Sequence, residues 1–314
     1  MLITIGAFDG FHKGHAKLLE LCRKNSVNNE WGVVTFYPHP SEFMHNLNHP
    51  MFTLKERELI RKILGIPNIF VLNFDEELKN LSPEKFWKLL NEKINIDGLV
   101  IGSDFHFGKE RSGDAKSLEN FAMSQNINKI LIVDLLNKSD FSSSNIREKI
   151  LAGDVKQAAE FLGYNWFVIG SVIHGNERGR TMKFPTANIN LNADKIIPSY
   201  GVYSTAVLIN GKWYCGALSI GNNPTFHDVN ETRAEVHILD FSGDIYGDEI
   251  LILFLDRLRG IKTFSDKESL IAQIEIDTEK CRKIYNETKP EKFCELAKKF
   301  YTQKNLEPEI IKLC

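Results

Sequence analysis

The pattern of apolar residues changes once along the chain, near Gly163, and this change constrains the fold more than any other feature. Before it, short apolar runs alternate with segments of helical periodicity. The five apolar runs lie at residues 2–5, 32–37, 69–74, 98–102 and 129–135. Because strands that alternate with helices are buried on both faces, this half predicts a parallel sheet covered by helices, an α/β fold.

After Gly163, six strand-like segments follow one another between residues 167 and 255, without a helix between them. Asn210-Gly211 is a strong hairpin signal, and Ser242-Gly243-Asp244 marks a second turn. Six strands in series favour a small antiparallel β-barrel. Helical periodicity returns only at residues 268–287.

The length of 314 residues favours two domains. We place the first domain at residues 1–163 and the second at 164–287. The remaining residues, 288–314, are charged with scattered apolar positions, which predicts a helical appendage. An inert tail and a docking or oligomer helix are both open for this segment.

Charge and cysteine content exclude several classes of protein. The net charge of −2 offers no basic surface to nucleic acid, and the longest apolar run, at 250–255, is far too short to span a membrane. Five widely spaced cysteines form no CxxC pair, which predicts a reduced, cytoplasmic protein without a zinc site. Asp9 comes too early for a signal peptide. Oligomeric state is open, a homo-oligomer included.

The stretch GAFDGFHKGH at residues 6–15 predicts a phosphate site. It follows an apolar strand and leads into a helix, so Gly6 and Gly10 can turn backbone N–H groups toward a ligand at the helix N-terminus. His12 and His15 can donate to phosphate oxygens on a leaving pyrophosphate. The alternative is a tight turn with two surface histidines, which the whole combination disfavours. No P-loop sequence follows the turn.

This stretch resembles the GxFDGxHxGH signature of the HxGH nucleotidyltransferases. Further segments are similar to the bacterial bifunctional riboflavin kinase/FMN adenylyltransferase family. They are TFYPHP (35–40), GSDFHFGKERSGD (102–114), FSSSNIR (141–147), HGNERGRTMKFPTANINL (174–191) and RAEVHILDFSGDIYGDEI (233–250). The resemblance implies a Rossmann-like domain followed by a six-stranded riboflavin kinase-like barrel with a C-terminal helix. It also implies two ATP-dependent steps, from riboflavin to FMN and from FMN to FAD, with Mg²⁺.

For adenylyl transfer, the resemblance implies that His12 and His15 are catalytic. The implied ATP-binding residues are Gly6, Phe8, Asp9, Gly10, His12, His15, Ser142, Ser143, Ser144 and Arg147. The implied flavin-binding residues are His39, Asp104, Phe105 and Phe107. Taken alone, the serines would be a helix N-cap and the phenylalanines core packing.

For riboflavin phosphorylation, the resemblance implies that Glu235 is the catalytic base. Thr186 and Asn188 would bind Mg²⁺ together with ATP phosphates, since hard oxygen ligands suit this ion. Gly175, Gly179 and Arg180 would contact the same ATP. Taken alone, these residues would be an exposed strand-end glutamate, a turn that leads into a strand, and a solvated basic turn.

Two departures from the family pattern fall in the kinase half. Lys183 stands where a glycine is usual, and Ile261 stands where a glutamate is usual. They keep one alternative open, in which only the FMN adenylyltransferase activity is retained. A flavin- or nucleotide-binding regulator with degenerate catalysis is a second alternative, against which the intact His12, His15 and Glu235 argue.

Overall fold

The computed structural model describes residues 1–45, 49–134, 141–174, 184–192, 194–222, 232–288, 291–301 and 311–312. The chain forms two compact units. The first holds Met1–Ser143 and the C-terminal strand Ile311–Lys312, and the second holds Ser144–Asn305. Within the described residues, no helix is both long enough and apolar enough to cross a membrane.

Strands and helices follow the predicted change of pattern. The strands are β1 (Leu2–Ile5), β2 (Trp31–Tyr37), β3 (Asn68–Asn73), β4 (Gly98–Gly102), β5 (His106–Phe107), β6 (Gly113–Asp114), β7 (Lys129–Val133), β8 (Phe167–Ile173), β9 (Ala187–Asn190), β10 (Gly201–Ile209), β11 (Lys212–Asn222), β12 (Thr232–Ile238), β13 (Glu249–Arg259) and β14 (Ile311–Lys312). The helices are α1 (Lys13–Asn25), α2 (Pro40–His45), α3 (Leu54–Leu64), α4 (Glu76–Lys79), α5 (Pro83–Lys93), α6 (Ala115–Ser124), α7 (Ser143–Ala152), α8 (Val155–Leu162), α9 (Lys267–Thr288) and α10 (Glu291–Tyr301).

The first unit is built on a six-stranded parallel sheet in the order β14-β3-β2-β1-β4-β7. Five of its strands, β1, β2, β3, β4 and β7, confirm the five strands that the sequence predicts. Chain order reverses between β1 and β4, and ligands of open α/β sheets bind beyond the carboxyl ends of strands at such a point. The 6–15 stretch begins there, directly after β1.

Local sequence fixes the helices around this sheet. Thr53 and Glu56 form a capping box at the start of α3, and the left-handed Gly65 ends the helix. Ser82 caps α5 by accepting a hydrogen bond from the Lys85 amide, and Pro83 occupies its first turn, as the sequence predicts. The apolar faces of α5 and α6 join the core beneath β1 and β4.

The second unit is a closed antiparallel barrel in the order β10-β11-β12-β9-β8-β13, as predicted. Asn210 and Gly211 link β10 to β11 with positive φ angles of 45° and 74°, the geometry of a tight hairpin turn. Because β12 pairs with β9, Glu235 and Asn188 become direct neighbours across the two strands.

Two C-terminal helices pack on this barrel. On α9, Cys281 is buried against Cys215 and Leu239, and the buried Asp277 accepts hydrogen bonds from Arg259. On α10, the Phe293 ring stacks on Tyr164 at 5.3 Å between ring centroids. The helix at 291–301 is the described part of the predicted appendage, and β14 is a strand that the sequence did not predict.

Candidate active sites

The loop after β1 has a strained backbone. Phe8, Gly10 and Phe11 have positive φ angles of 44°, 90° and 47°. Phenylalanine rarely adopts this left-handed conformation, so surrounding contacts must hold the loop in place. The Phe8 ring lies 5.6 Å from the Phe11 ring and 4.7 Å from the His15 ring, which fixes the first turn of α1 against the loop.

A buried ion pair is one of these contacts. Asp9 is fully buried, and its Oδ1 lies 3.4 Å from Nη2 of Arg57, which is also buried. Both carboxylate oxygens accept from the Met51 amide at 3.2 Å, and Arg57 donates to the Phe36 carbonyl at 3.2 Å. In this structure Asp9 therefore anchors the loop to α3 and to the end of β2.

The two predicted histidines stack on each other at the start of α1. Their ring centroids are 3.8 Å apart, and His12 Nε2 lies 3.0 Å from the Ser143 hydroxyl. Burial lowers the pKa of His12 to about 4, against the smaller opposing effect of Asp9, and burial also lowers the pKa of His15. Both imidazoles are therefore neutral at pH 7. Each Nδ1 is buried and has no hydrogen-bond partner among the described residues.

Gly14 lets the serine segment approach the histidines. A Cβ atom at this position would lie 2.8 Å from the Phe141 carbonyl oxygen and 3.0 Å from the His12 ring. Only glycine leaves room for the chain to pass and for Ser143, the first residue of α7, to reach His12. Ser142 lies just before α7, while Ser144 and the buried Arg147 follow within the second unit. The predicted ATP contacts of these three residues stay predictions.

A cleft of about 670 Å³ opens at the carboxyl ends of β1, β2 and β4. All four predicted flavin residues, His39, Asp104, Phe105 and Phe107, line it. Other predicted residues on its wall are Gly6, Phe8 and His15. The structure thus brings half of the predicted nucleotide and flavin residues, seven of fourteen, together in one cleft. Asp9, Gly10 and His12 are buried and are absent from its described lining.

Aromatic rings form much of the wall of this cleft. The Phe105 and Phe107 rings are stacked at 5.5 Å, and Phe107 also packs on Phe86 in the core. Phe36 and Phe74 meet edge to face at 5.9 Å. Phe105 and Phe107 therefore contribute to core packing and also line the cleft. His39 keeps its orientation because its Nδ1 accepts from the Ser41 amide at 3.2 Å.

Sequence reasoning missed several residues of this wall, among them Met44, Phe74, Lys79 and Arg111. Phe74 directly follows β3, so its place at a strand end is a signal that could have found it. Arg111 lies within the segment 102–114 that resembles the family, and this resemblance could have found it, whereas Lys79 carries no such signal. Their positions depend on α4 and on the turn between β5 and β6, neither of which the periodicity predicts.

On the barrel, Glu235 and Asn188 are Cα partners in adjacent strands, and both side chains are partly exposed. Thr186 lies two residues before Asn188, directly ahead of β9. In the described part of the chain, no hydrogen bond engages the side chain of Thr186, Asn188 or Glu235. The β9–β12 pair thus presents an amide and a carboxylate side by side, and the Thr186 hydroxyl belongs to the residue directly before β9.

A second cleft, of about 600 Å³, adjoins this strand pair and includes Thr186 in its wall. Apolar and aromatic residues make up most of the rest, including Val172, Pro185, Phe241 and Tyr246. Tyr246 stacks on His174 at 3.9 Å between ring centroids. The predicted Gly175, Gly179 and Arg180, together with Lys183, lie outside the described residues.

Comparisons with known proteins match both units. The family model described as FAD synthetase matches residues 1–145, and the model described as riboflavin kinase matches residues 162–285. Two similar proteins are the bifunctional riboflavin kinase/FMN adenylyltransferases of Listeria monocytogenes and Bacillus subtilis. Each is 34% identical to this chain, and the alignments cover 90% and 91% of it and 92% of each relative.

A solved structure has the same fold. It is described as the macrolide-efflux protein of Streptococcus pneumoniae, and it matches with a TM-score of 0.81 and 33% identity. The match covers 90% of this chain and 93% of that one. From the paired family models and from relatives that match over nearly their whole length, the chain belongs to the bifunctional riboflavin kinase/FMN adenylyltransferase family.

Proposed function

We propose that each of the two sites carries one step of FAD synthesis, with adenylyl transfer in the cleft of the first unit and riboflavin phosphorylation at the β9–β12 pair. The chain phosphorylates riboflavin with ATP to give FMN, then transfers an adenylyl group from ATP to FMN to give FAD and pyrophosphate. The alternative with adenylyl transfer alone has no support, because the riboflavin kinase model matches residues 162–285.

The observation that carries the adenylyl-transfer site is the stacked histidine pair beside the aromatic cleft. A phosphate oxygen of FMN attacks the α-phosphorus of ATP in line, the bond from this phosphorus to the β-phosphate oxygen breaks, and pyrophosphate leaves. The phosphate nucleophile is already ionised and needs no base. Negative charge grows on the leaving pyrophosphate, and prearranged donors stabilise it.

Neutral histidines suit this task. Each neutral imidazole can donate one hydrogen bond to a phosphate oxygen through the ring nitrogen that carries its proton, and Ser143 lies 3.0 Å from Nε2 of His12. The glycine turn and the N-terminus of α1 add backbone N–H donors. The aromatic wall of the cleft suits the flavin ring, because stacked and edge-on contacts between aromatic rings are favourable.

For the kinase step, we assign Glu235 as the base. It accepts the proton of the riboflavin 5′-hydroxyl as that oxygen attacks the γ-phosphorus of ATP, and ADP leaves. The assignment is supported by a partly exposed carboxylate that is directly opposite Asn188 and that forms no hydrogen bond within the described residues.

Thr186 and Asn188 fit a Mg²⁺ ion that is bound together with ATP. Their hydroxyl and amide oxygens are hard ligands, and no described group occupies them. When bound, the ion neutralises charge on the phosphates. The task of these two residues is to hold it beside Glu235.

We assign the two activities to domains at residues 1–163 and 164–287, with 288–314 as an appendage. Small molecules are the partners, which the net charge of −2 supports over nucleic acid. We place the protein in the cytoplasm, which its free and buried cysteines at positions 22, 215 and 281 support.

A time course of products tests the proposal. The protein is incubated with riboflavin and MgATP, and flavins are separated by chromatography. We expect FMN to appear first and to convert to FAD, and we expect EDTA to stop both steps until Mg²⁺ is restored. Formation of FAD from supplied FMN, without FMN from riboflavin, would contradict the assignment of the barrel site.

A further inference from the structure

The adenylyl-transfer cleft needs a means of selecting FMN. Riboflavin and FMN share the isoalloxazine ring and differ only in a phosphate group, so an aromatic wall binds both alike. Discrimination therefore requires a cation that meets the phosphate. This inference rests on the proposed function and names a specificity residue for it.

Two Lys or Arg side chains are found among the described residues of the cleft wall, Lys79 and Arg111. Lys79 is already engaged, because its Nζ lies 3.0 Å from Oε1 of Glu76 and 5.8 Å from the centroid of the Phe43 ring. Arg111 is exposed, and its guanidinium has no hydrogen bond or ion pair with any described residue. His15 adds no charge at pH 7, since burial lowers its pKa.

The backbone around Arg111 is held in a rare conformation. Gly108, Glu110 and Arg111 have positive φ angles of 72°, 54° and 59°. The turn is secured by the Lys109 amide, which donates to the Leu81 carbonyl at 2.7 Å, and by the pairing of β5 with β6. Strained residues that their surroundings hold in place are characteristic of ligand-binding sites.

The other charges on this wall are negative. Asp104 and Glu110 line the same cleft and would repel a phosphate dianion, so the site requires a cation to offset them. A guanidinium suits this task better than an ammonium group, because its planar fork donates two parallel hydrogen bonds to one phosphate.

We propose that Arg111 binds the phosphate of FMN and thereby selects FMN over riboflavin in the adenylyl-transfer cleft. Gly6, Phe8 and His15, beside which ATP is expected, line the same cleft as Arg111. Arg111 therefore contributes to the binding of FMN and not to the binding of ATP.

The test compares steady-state FAD formation from supplied FMN in wild type, Arg111→Gln and Arg111→Lys. Lys109→Gln is the matched control, because Lys109 is an exposed cation on the same turn and is not in the described lining of the cleft. A lost charged hydrogen bond corresponds to about a 10- to 100-fold change in affinity.

We expect Arg111→Gln to raise the KM for FMN by about 10- to 100-fold, with an unchanged KM for ATP. Riboflavin is tested as a competitor in the Glu235→Gln background, which does not convert it to FMN, and its inhibition constant should be unchanged. Arg111→Lys should restore part of the loss, and Lys109→Gln should match wild type. The unchanged ATP and riboflavin constants also show that the variant is folded.

An unchanged KM for FMN in Arg111→Gln overturns the assignment. So does a parallel rise in the riboflavin inhibition constant, which would mean that Arg111 contacts the ring, or a rise in the KM for ATP. Absence of FAD formation by the wild-type protein is a different result, because it refutes the proposed function itself.

Discussion

At the scale of single residues, the loop that carries the histidines depends on one buried ion pair. Asp9 and Arg57 are both almost fully buried, and each also bonds to the backbone of a neighbouring segment. A buried pair contributes little net stability, whereas removal of one partner leaves an uncompensated charge in the interior. The strained turn at Phe8, Gly10 and Phe11 therefore relies on Arg57.

We predict that Arg57→Met lowers the free energy of unfolding by about 3–5 kcal/mol, because it leaves Asp9 buried without its counter-ion. Chemical denaturation measures the change. Arg23→Met is the control, since the Arg23 guanidinium bonds to the Leu64 carbonyl at an exposed position. The double variant Asp9→Asn/Arg57→Met should lose less than the sum of the single variants. An Arg57→Met protein as stable as wild type would refute this role.

The histidine site also predicts a dependence of stability on pH. His12 has a pKa of about 4 in the folded protein and about 6.5 in an unfolded chain. Between these values only the unfolded state binds the proton, so the free energy of unfolding falls as pH drops from about 6.5 to 4. The contribution of His12 to this fall is on the order of 3 kcal/mol.

Denaturation curves across this pH range check the prediction. His12→Asn should flatten the fall. Equal slopes in wild type and His12→Asn would show that His12 titrates in the folded state as it does in water.

At the scale of elements, α10 is an integral part of the barrel unit. Phe293 lies between Tyr164 and Phe167, and the Trp213 indole donates to the Cys294 carbonyl at 3.1 Å. We predict that Phe293→Ala lowers the free energy of unfolding of this unit by about 3–5 kcal/mol. Thermal unfolding measures the loss, with the exposed Ile276→Ala on α9 as the control. No loss would mean that α10 is an inert tail.

Periodicity predicted the elements that bury a repeating apolar face. The strands of both units, the Ser82–Pro83 start of α5 and the Asn210–Gly211 hairpin follow from local residue chemistry. The pairing of β14 with β3 was not predicted, because two residues carry no period. The β5–β6 pairing was missed for the same reason, although Arg111 lies in the segment 102–114 that resembles the family.

The site shows a similar division. The sequence motifs identified His12, His15, Phe105 and Phe107. In the structure His15 and the two phenylalanines line one cleft. The role of Arg57 was not predicted, since it lies 48 residues from Asp9 and meets it only through packing of α3 on the loop. A contact between residues so far apart in the sequence depends on the tertiary structure, and a local sequence pattern does not predict it.

At the scale of the whole molecule, we assign each of the two activities to a separate compact unit. The histidine cleft is formed by residues 5–111, and the Glu235 face by strands of the barrel. If the sites are separate, a change at one site leaves the other reaction intact. The proposed function depends on this separation of the two sites.

The most direct test measures FMN formation from riboflavin and FAD formation from FMN in His12→Asn and Glu235→Gln. We predict that His12→Asn lowers FAD formation by about 100-fold or more and leaves FMN formation within about twofold of wild type. Glu235→Gln should lower FMN formation by about 100-fold or more and spare FAD formation. Parallel loss of both reactions in either folded variant would contradict the account.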